Sequence, residues 1–308
     1  MKTCLLLCLA LLLLGSGVFA QPKQKVRTVT IPISIFTKKE LKERRADEFV
    51  QVETISVRED KEDQQILSIR SVAETPLSIA VLIQDDLSSG FNNQLEDIRD
   101  FIRGLPKGTR VMTAYLRAGS PQIMQRFTDD LNAAAKSLRI VSGSGGAAPR
   151  SPYSAISDIL PRFDATPGGR RAVLLFSDGL DTTGGLNLAS ITQSADLDRA
   201  ILGSQRRSVA VYSFYWPTEL MQSANSIFVT GSQGALHKLA DETGGRSFGS
   251  LSTPVSFQPF FKDLNLTLGR QFAIRYLSTH MKKGYHSIKV TSTNPEIKIE
   301  HPSGYYYR

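Results

Sequence analysis

The chain has 308 residues, 41% hydrophobic and 21% charged, a balance that excludes a wholly disordered or collagen-like chain and allows a sizeable core. Its formal net charge is +8, but the basic residues are dispersed except in Lys38 to Arg45, where acids interrupt them, and no nucleic-acid motif accompanies them. A solvated face and no nucleic-acid partner are therefore expected.

From Met1 to Ala20 the chain carries Lys2, a leucine run and a small-residue end at Val18-Phe19-Ala20. This pattern is that of a secretory signal cleaved near Ala20-Gln21, so the expected location is secreted or periplasmic, with no transmembrane segment in the mature chain. Both cysteines, Cys4 and Cys8, fall inside that segment. The remainder then holds no disulfide, no zinc thiolate and no thiol nucleophile, and it depends on its core for stability.

Val26 to Phe36 alternates, with Val29, Ile31, Ile33 and Ile35 on one face and Pro32 predicting an edge or a bulge. Phe49 to Val57 and Gln65 to Val72 repeat the pattern across a polar turn at Arg58 to Asp63. Three strands do not close a core, so they need a partner from elsewhere in the chain.

Leu77 to Ile83 is an apolar run suited to a strand buried on both faces, and it leads into Gln84, Asp85, Asp86, Leu87, Ser88 and Ser89. A helical pattern follows through Phe91, Leu95, Ile98, Phe101 and Ile102. Thr109 to Leu116 reads as a second strand and Ile123 to Phe127 as a short edge strand. Thr128 is the expected cap of a helix running through Leu138. A Gly/Ser-rich loop from Ser142 to Pro152 precedes a helix of Tyr153, Ile156, Ile159 and Leu160. Next come a buried strand from Arg171 ending in Ser177-Asp178-Gly179, a helix near Leu197 to Leu202 and the strand Ser208 to Tyr215. A helix from Gln233 to Asp241 stops before Gly244-Gly245. Strands alternating with helices predict an α/β, doubly wound and mostly parallel sheet. Beyond it, a connecting helix from Val255 to Leu268 and alternating strands from Gln271 onward are expected.

A buried strand that ends in carboxylates and hydroxyls is how an open α/β sheet builds a ligand site, and Asp and Ser oxygens suit Mg²⁺ or Ca²⁺. The same residues also cap helices without any ligand, and both readings stand on this stretch alone. Together with Ser177-Asp178-Gly179, the stretch resembles the von Willebrand factor type A domain and its metal-ion-dependent adhesion site. Asp85, Ser89 and Asp178 fall on the family's metal-binding positions, with Asp86, Ser88 and Ser151 as further oxygen donors. Leu87 stands where the family has its first metal-binding serine, so the site is degenerate. Leu239 to Phe248 and the Tyr-rich end Tyr305 to Tyr307 look like the bacterial VWFA-related branch.

The resemblance implies a von Willebrand A-like domain at 76–250 inserted in a small β-sandwich. That sandwich is made of residues 21–75 and the C-terminal strands of 251–308, with 1–20 as the signal. It also implies an adhesion-type module that recognises a protein or envelope polymer through loops 85–91, 142–152, 178–187 and 216–231. Any divalent cation would be held weakly or not at all. Tyr215, Trp216 and Met221 are the expected contact residues. The alternative is a structural or assembly component of the envelope that works without metal. The chain carries no hydrolase elbow and no Walker loop, and His237, His280, His286 and His301 have no metal-ligand spacing. The reading is non-enzymatic.

Overall fold

A computed structural model describes residues 25–39, 55–73, 75–143, 150–185, 194–249 and 253–307. The expected signal at 1–20, most of the 142–152 loop and the first part of the expected Phe49 to Val57 strand lie outside the described residues.

Two sheets organise the rest. The first has the strand order β6-β5-β4-β7-β8-β9. Its strands are β4 (Leu77–Gln84), β5 (Arg110–Arg117), β6 (Ser120–Thr128), β7 (Arg170–Ser177), β8 (Val209–Tyr215) and β9 (Ser247–Phe248). All neighbours run parallel except β5 and β6. Every residue of β4 is buried because the sheet is covered on both faces. Ile79, Val81 and Ile83 join one core with helix α1 (Leu95–Arg103), and Ala80 and Leu82 join another with the residues packed on the opposite face. That is why the sequence shows a continuous apolar run here and no alternation.

The remaining helices are α2 (Leu131–Lys136), α3 (Pro152–Ile159), α4 (Ala195–Arg207), the single turn α5 (Glu219–Gln222), α6 (Ser226–Thr243) and α7 (Gln258–Gly269). Helix α2 begins later than expected. Asp130, not Thr128, is its cap and accepts from the Ala133 N–H at 2.9 Å, while Thr128 closes β6. Helix α6 begins seven residues before the expected start at Gln233, on an Asn225 cap. Its start, Ser226 to Gly231, holds Ile227-Phe228-Val229 as one short apolar run without the 3.6-residue period that marks a helix.

The second sheet is antiparallel, in the order β12-β1-β10-β3-β2-β11-β13. It is built from β1 (Arg27–Thr37), β2 (Ile55–Glu59), β3 (Glu62–Ser71), β10 (Gln271–Ser278), β11 (Gly284–Ser292), β12 (Ile297–Glu300) and β13 (Gly304–Tyr307). The N- and C-terminal strands interleave, as their separate inability to bury an apolar face requires. The sandwich anticipated from the sequence takes a different form, one continuous curled sheet around Ile31, Ile33, Val57, Ile274 and Tyr276. Proline is tolerated at position 32 because β12 covers β1 only from Ser34 onward.

The parallel sheet occupies the chain between two neighbouring antiparallel strands. Where the chain leaves β3, the Val72 N–H donates to the Gln271 carbonyl at 3.0 Å, so the departing and returning segments touch. Arg170, the first residue of β7, ties them to the parallel sheet. Its guanidinium donates to the carbonyls of Ala73 at 2.6 Å, Thr75 at 3.2 Å and Leu268 at 2.8 Å. We expect Arg170→Met to cost about 2–4 kcal/mol, since these carbonyls lose a charged donor. Denaturant unfolding followed by the fluorescence of the lone Trp216 and by far-UV circular dichroism should then give separate midpoints where the parent gives one.

Candidate functional site

Ligands of open α/β sheets sit beyond the carboxyl ends of the strands where the strand order reverses, here between β4 and β7. Gln84, the last residue of β4, clamps the two segments that leave there. Its amide nitrogen donates to Asp86 at 2.9 Å, and its amide oxygen accepts from the Ser177 hydroxyl at 2.6 Å and the Asp178 N–H at 3.2 Å. Gly179 completes the turn at φ +73°, where a Cβ would stand 2.6 Å from the Ser232 carbonyl oxygen. Only glycine fits there.

Of the four buried carboxylates at this end, Asp85, Asp86 and Asp178 are each met by an arginine. Arg139, just after α2, grips Asp85 with two bonds, Nη1 to Oδ1 at 2.7 Å and Nη2 to Oδ2 at 3.1 Å. The same guanidinium lies 4.1 Å from the centre of the Tyr115 ring, and the fork-to-fork geometry holds its pKa above the ordinary arginine value. Arg150 reaches Asp86 Oδ2 at 3.1 Å and Asp178 Oδ2 at 3.5 Å. Asp178 has no exposed surface. Burial pushes its carboxyl up from the usual value, while Arg150, the Leu180 N–H and the Thr218 hydroxyl pull it back.

Asp86 and Asp178 thus share Arg150 while Asp85 turns to Arg139, and the expected hydroxyl donors take other work. Ser89 is exposed at the start of a short 3₁₀ turn. Ser88 accepts the Trp216 indole N–H at 3.0 Å. Ser151 caps α3 and donates to Asp181 Oδ2 at 3.1 Å, a carboxylate that also accepts from the Ser194 and Thr183 hydroxyls. Leu87 is fully buried and belongs to the core of Phe91 and Trp216.

The expected contact residues need correction. Tyr215, Trp216 and Met221 are 4%, 5% and 3% exposed, so they pack the interior and offer no surface. Trp216 meets Phe91 and Phe257 edge to face. The apolar side chains that do reach solvent near this end are Ile140, next to Arg139, and Leu220 and Ile227, which follow β8. Each sits beside an apolar neighbour, Val141, Met221 or Phe228, so the sequence does not mark it as exposed.

Sequence reasoning also missed Arg139 and Arg150, because a guanidinium that closes on a carboxylate many residues away has no local pattern. The one hint was Leu87: a site lacking a hydroxyl still has to neutralise its carboxylates. A second cluster escaped as well. Glu59, Asp60 and His286 each place a ligand atom within 4.8 Å of the others, and the His280 ring centroid lies 5.9 Å from that of His286.

No protein-family model and no curated protein matches the chain. Among solved structures it is similar to an aerotolerance-related membrane protein from Bacteroides fragilis, at 15% identity over 63% of this chain and 98% of that one, TM-score 0.44. It is similar to BatB, a conserved hypothetical protein from Bacteroides thetaiotaomicron, at 14% identity over 62% and 97%, TM-score 0.40. A von Willebrand factor type A protein from Catenulispora acidiphila aligns over 94% of this chain and 76% of that one, at 9% identity and TM-score 0.45. At such identities, function has to be read from this chain's own geometry. Among the described residues, no helix is long and apolar enough to cross a membrane.

Because Leu87 fills the core and does not face the carboxylates, Leu87→Ser should destabilise the protein by about 3 kcal/mol, through the cavity and the buried hydroxyl, without creating an ion site. Thermal unfolding with and without Mg²⁺ checks both parts: the melting point should drop equally in each.

Proposed function

We propose that the chain is an exported, non-enzymatic recognition or assembly module of the von Willebrand A type whose carboxyl-end face works without a metal ion. Arg139 and Arg150 stand in for the cation. The observation that carries this reading is the direct pairing of Asp85, Asp86 and Asp178 with the two guanidinium groups. A bidentate arginine uses the carboxylate oxygens that an octahedral Mg²⁺ shell would need, and it adds no requirement for dehydration. The hydroxyls around the site support the non-enzymatic reading. Those of Ser151 and Thr218 donate to carboxylates and that of Ser177 to an amide oxygen, with no imidazole beside them.

The partner is a protein or envelope polymer, met by the exposed apolar side chains of Ile140 (67% exposed), Leu220 (45%) and Ile227 (54%). Capture from envelope extracts by the full chain should persist in a chelator and be lost in the double variant Ile140→Asp, Ile227→Asp. Calorimetric titration with Mg²⁺ or Ca²⁺ should show no saturable heat. Tight binding of either ion that disappears in Asp85→Asn would overturn the reading.

The arginines also set a pH dependence. The folded-state pKa of Asp178 lies above its unfolded value, and Arg150 opposes that rise. Removing Arg150 raises the folded value further. A group raised on folding contributes its full stability below the unfolded pKa and loses it as pH climbs through the folded pKa. Arg150→Met should therefore differ little from the parent near pH 4 and fall behind by about 3 kcal/mol near neutrality, where a buried carboxylate is left unpaired. Urea unfolding across that range reads the difference directly.

A further inference from the structure

The curled sheet holds a second group of ionisable side chains, far from the carboxyl-end face and independent of its reading. Strand β2 ends at Glu59, which has no exposed surface, and the tight turn to β3 passes through Asp60 and Lys61, both at positive φ. His286 enters from β11 and His280 from the connection before it. We propose that Glu59, Asp60, His286 and His280 form a structural site for a borderline transition-metal dication, Zn²⁺ above all.

The histidines are set up as ligands. His286 Nε2 lies 2.7 Å from the Lys282 carbonyl oxygen, which can only accept, so Nε2 carries a proton. Its Nδ1 faces carboxylates, 2.7 Å from Asp60 Oδ2 and 3.4 Å from Glu59 Oε1. With Nε2 as the donor, Nδ1 presents its lone pair toward carboxylate oxygens, the placement a metal ligand needs. His280 repeats the pattern. Its Nδ1 lies 3.9 Å from Glu59 Oε1 and has no hydrogen-bond partner, while Nε2 is 3.5 Å from the Glu62 carboxylate. A carbonyl or carboxylate behind the remote nitrogen is the usual support of metal-bound histidine.

Tetrahedral zinc with N and O ligands places donor atoms about 3.3 Å apart, so the observed separations need only small adjustments. The second indication is unspent bonding capacity. Glu59 Oε2 is buried with no partner, although Oε1 accepts from Ser278 at 3.0 Å, Tyr305 at 2.7 Å and Arg27 at 3.3 Å. The histidines approach Oε1, and a dication bound bidentately by Glu59 would also engage Oε2, which lies by the Tyr276 hydroxyl. Glu59, Asp60 and Glu62 offset the nearby charge of Arg27. Imidazole donors select Zn²⁺, Ni²⁺ or Co²⁺ over Mg²⁺ and Ca²⁺.

The rival occupant is a proton. Both nitrogens of His286 face acceptors, and an imidazolium would satisfy them without metal. The full chain, stripped with chelator, is titrated with Zn²⁺ by calorimetry and by thermal unfolding, and with Co²⁺ by visible absorption. The proposal expects one equivalent of Zn²⁺, a melting point raised by about 5 °C, no response to Mg²⁺, and tetrahedral Co²⁺ bands. His286→Gln and His280→Ala, the latter at a side chain only 21% exposed, should each weaken Zn²⁺ by more than about tenfold. Zinc binding that survives both substitutions overturns the proposal. So does the absence of both Zn²⁺ heat and Co²⁺ bands, which leaves His286 as a buried imidazolium. If the variants do not fold, the Co²⁺ spectrum of the unmodified protein decides.

Discussion

Everything at the carboxyl end of the parallel sheet depends on pairing the buried carboxylates of Asp85, Asp86 and Asp178 with arginines. Asp178 is fully buried and Asp85 and Asp86 nearly so. Left alone, such a group would take a proton or drag the surrounding turns open. The solution in this chain is covalently attached. Arg139 and Arg150 are always present, need no dehydration and cannot be removed by a chelator. The network around them is fixed in turn: Gln84 holds both turns, Thr218 holds Asp178, and Tyr115 lies under Arg139. The two arginines thereby offset part of the negative charge of Asp85, Asp86, Asp178 and Asp181.

The second constraint is topological. An inserted unit needs its two ends close, and the pairing of β3 with β10 brings them together with register to spare. The Arg170 contacts then connect that junction to the start of β7. Further along the same boundary, Arg246 meets Glu300 at 2.7 Å and Arg206 stacks over Tyr306 at 4.3 Å. The two sheets are therefore joined along a polar seam, and each keeps its own apolar core.

Much of this was legible from residue order. Strands such as Leu77–Gln84 and Val209–Tyr215 announce themselves because burial on both faces leaves no polar position. The alternation in β1, β2 and β11 marks a sheet with one wet face. The rule that sites lie at strand ends pointed to the turns after β4 and β7, where Asp86 and Asp178 share Arg150 while Asp85 turns to Arg139. What stayed hidden was decided by distance in sequence. Arg139 and His286 find carboxylates that no local window contains. Trp216 looked like a surface anchor because its segment is polar, but the indole turns inward to Ser88. The form of the antiparallel sheet was hidden for the same reason, since alternation reports which face is buried and not which strand is the neighbour.

The interleaving of the terminal strands has a consequence for how the protein is made. β1 and β3 pair with β10, and β2 pairs with β11, across most of the length of the chain. A ribosome emits β1 to β3 long before their partners exist. During that interval Val29, Ile31 and Ile33 have no sheet to join, and the open edges can template pairing with other copies. Contacts of such long range are slow to form even once the chain is complete. A polypeptide with this layout gains from being held unfolded until its last strands have emerged.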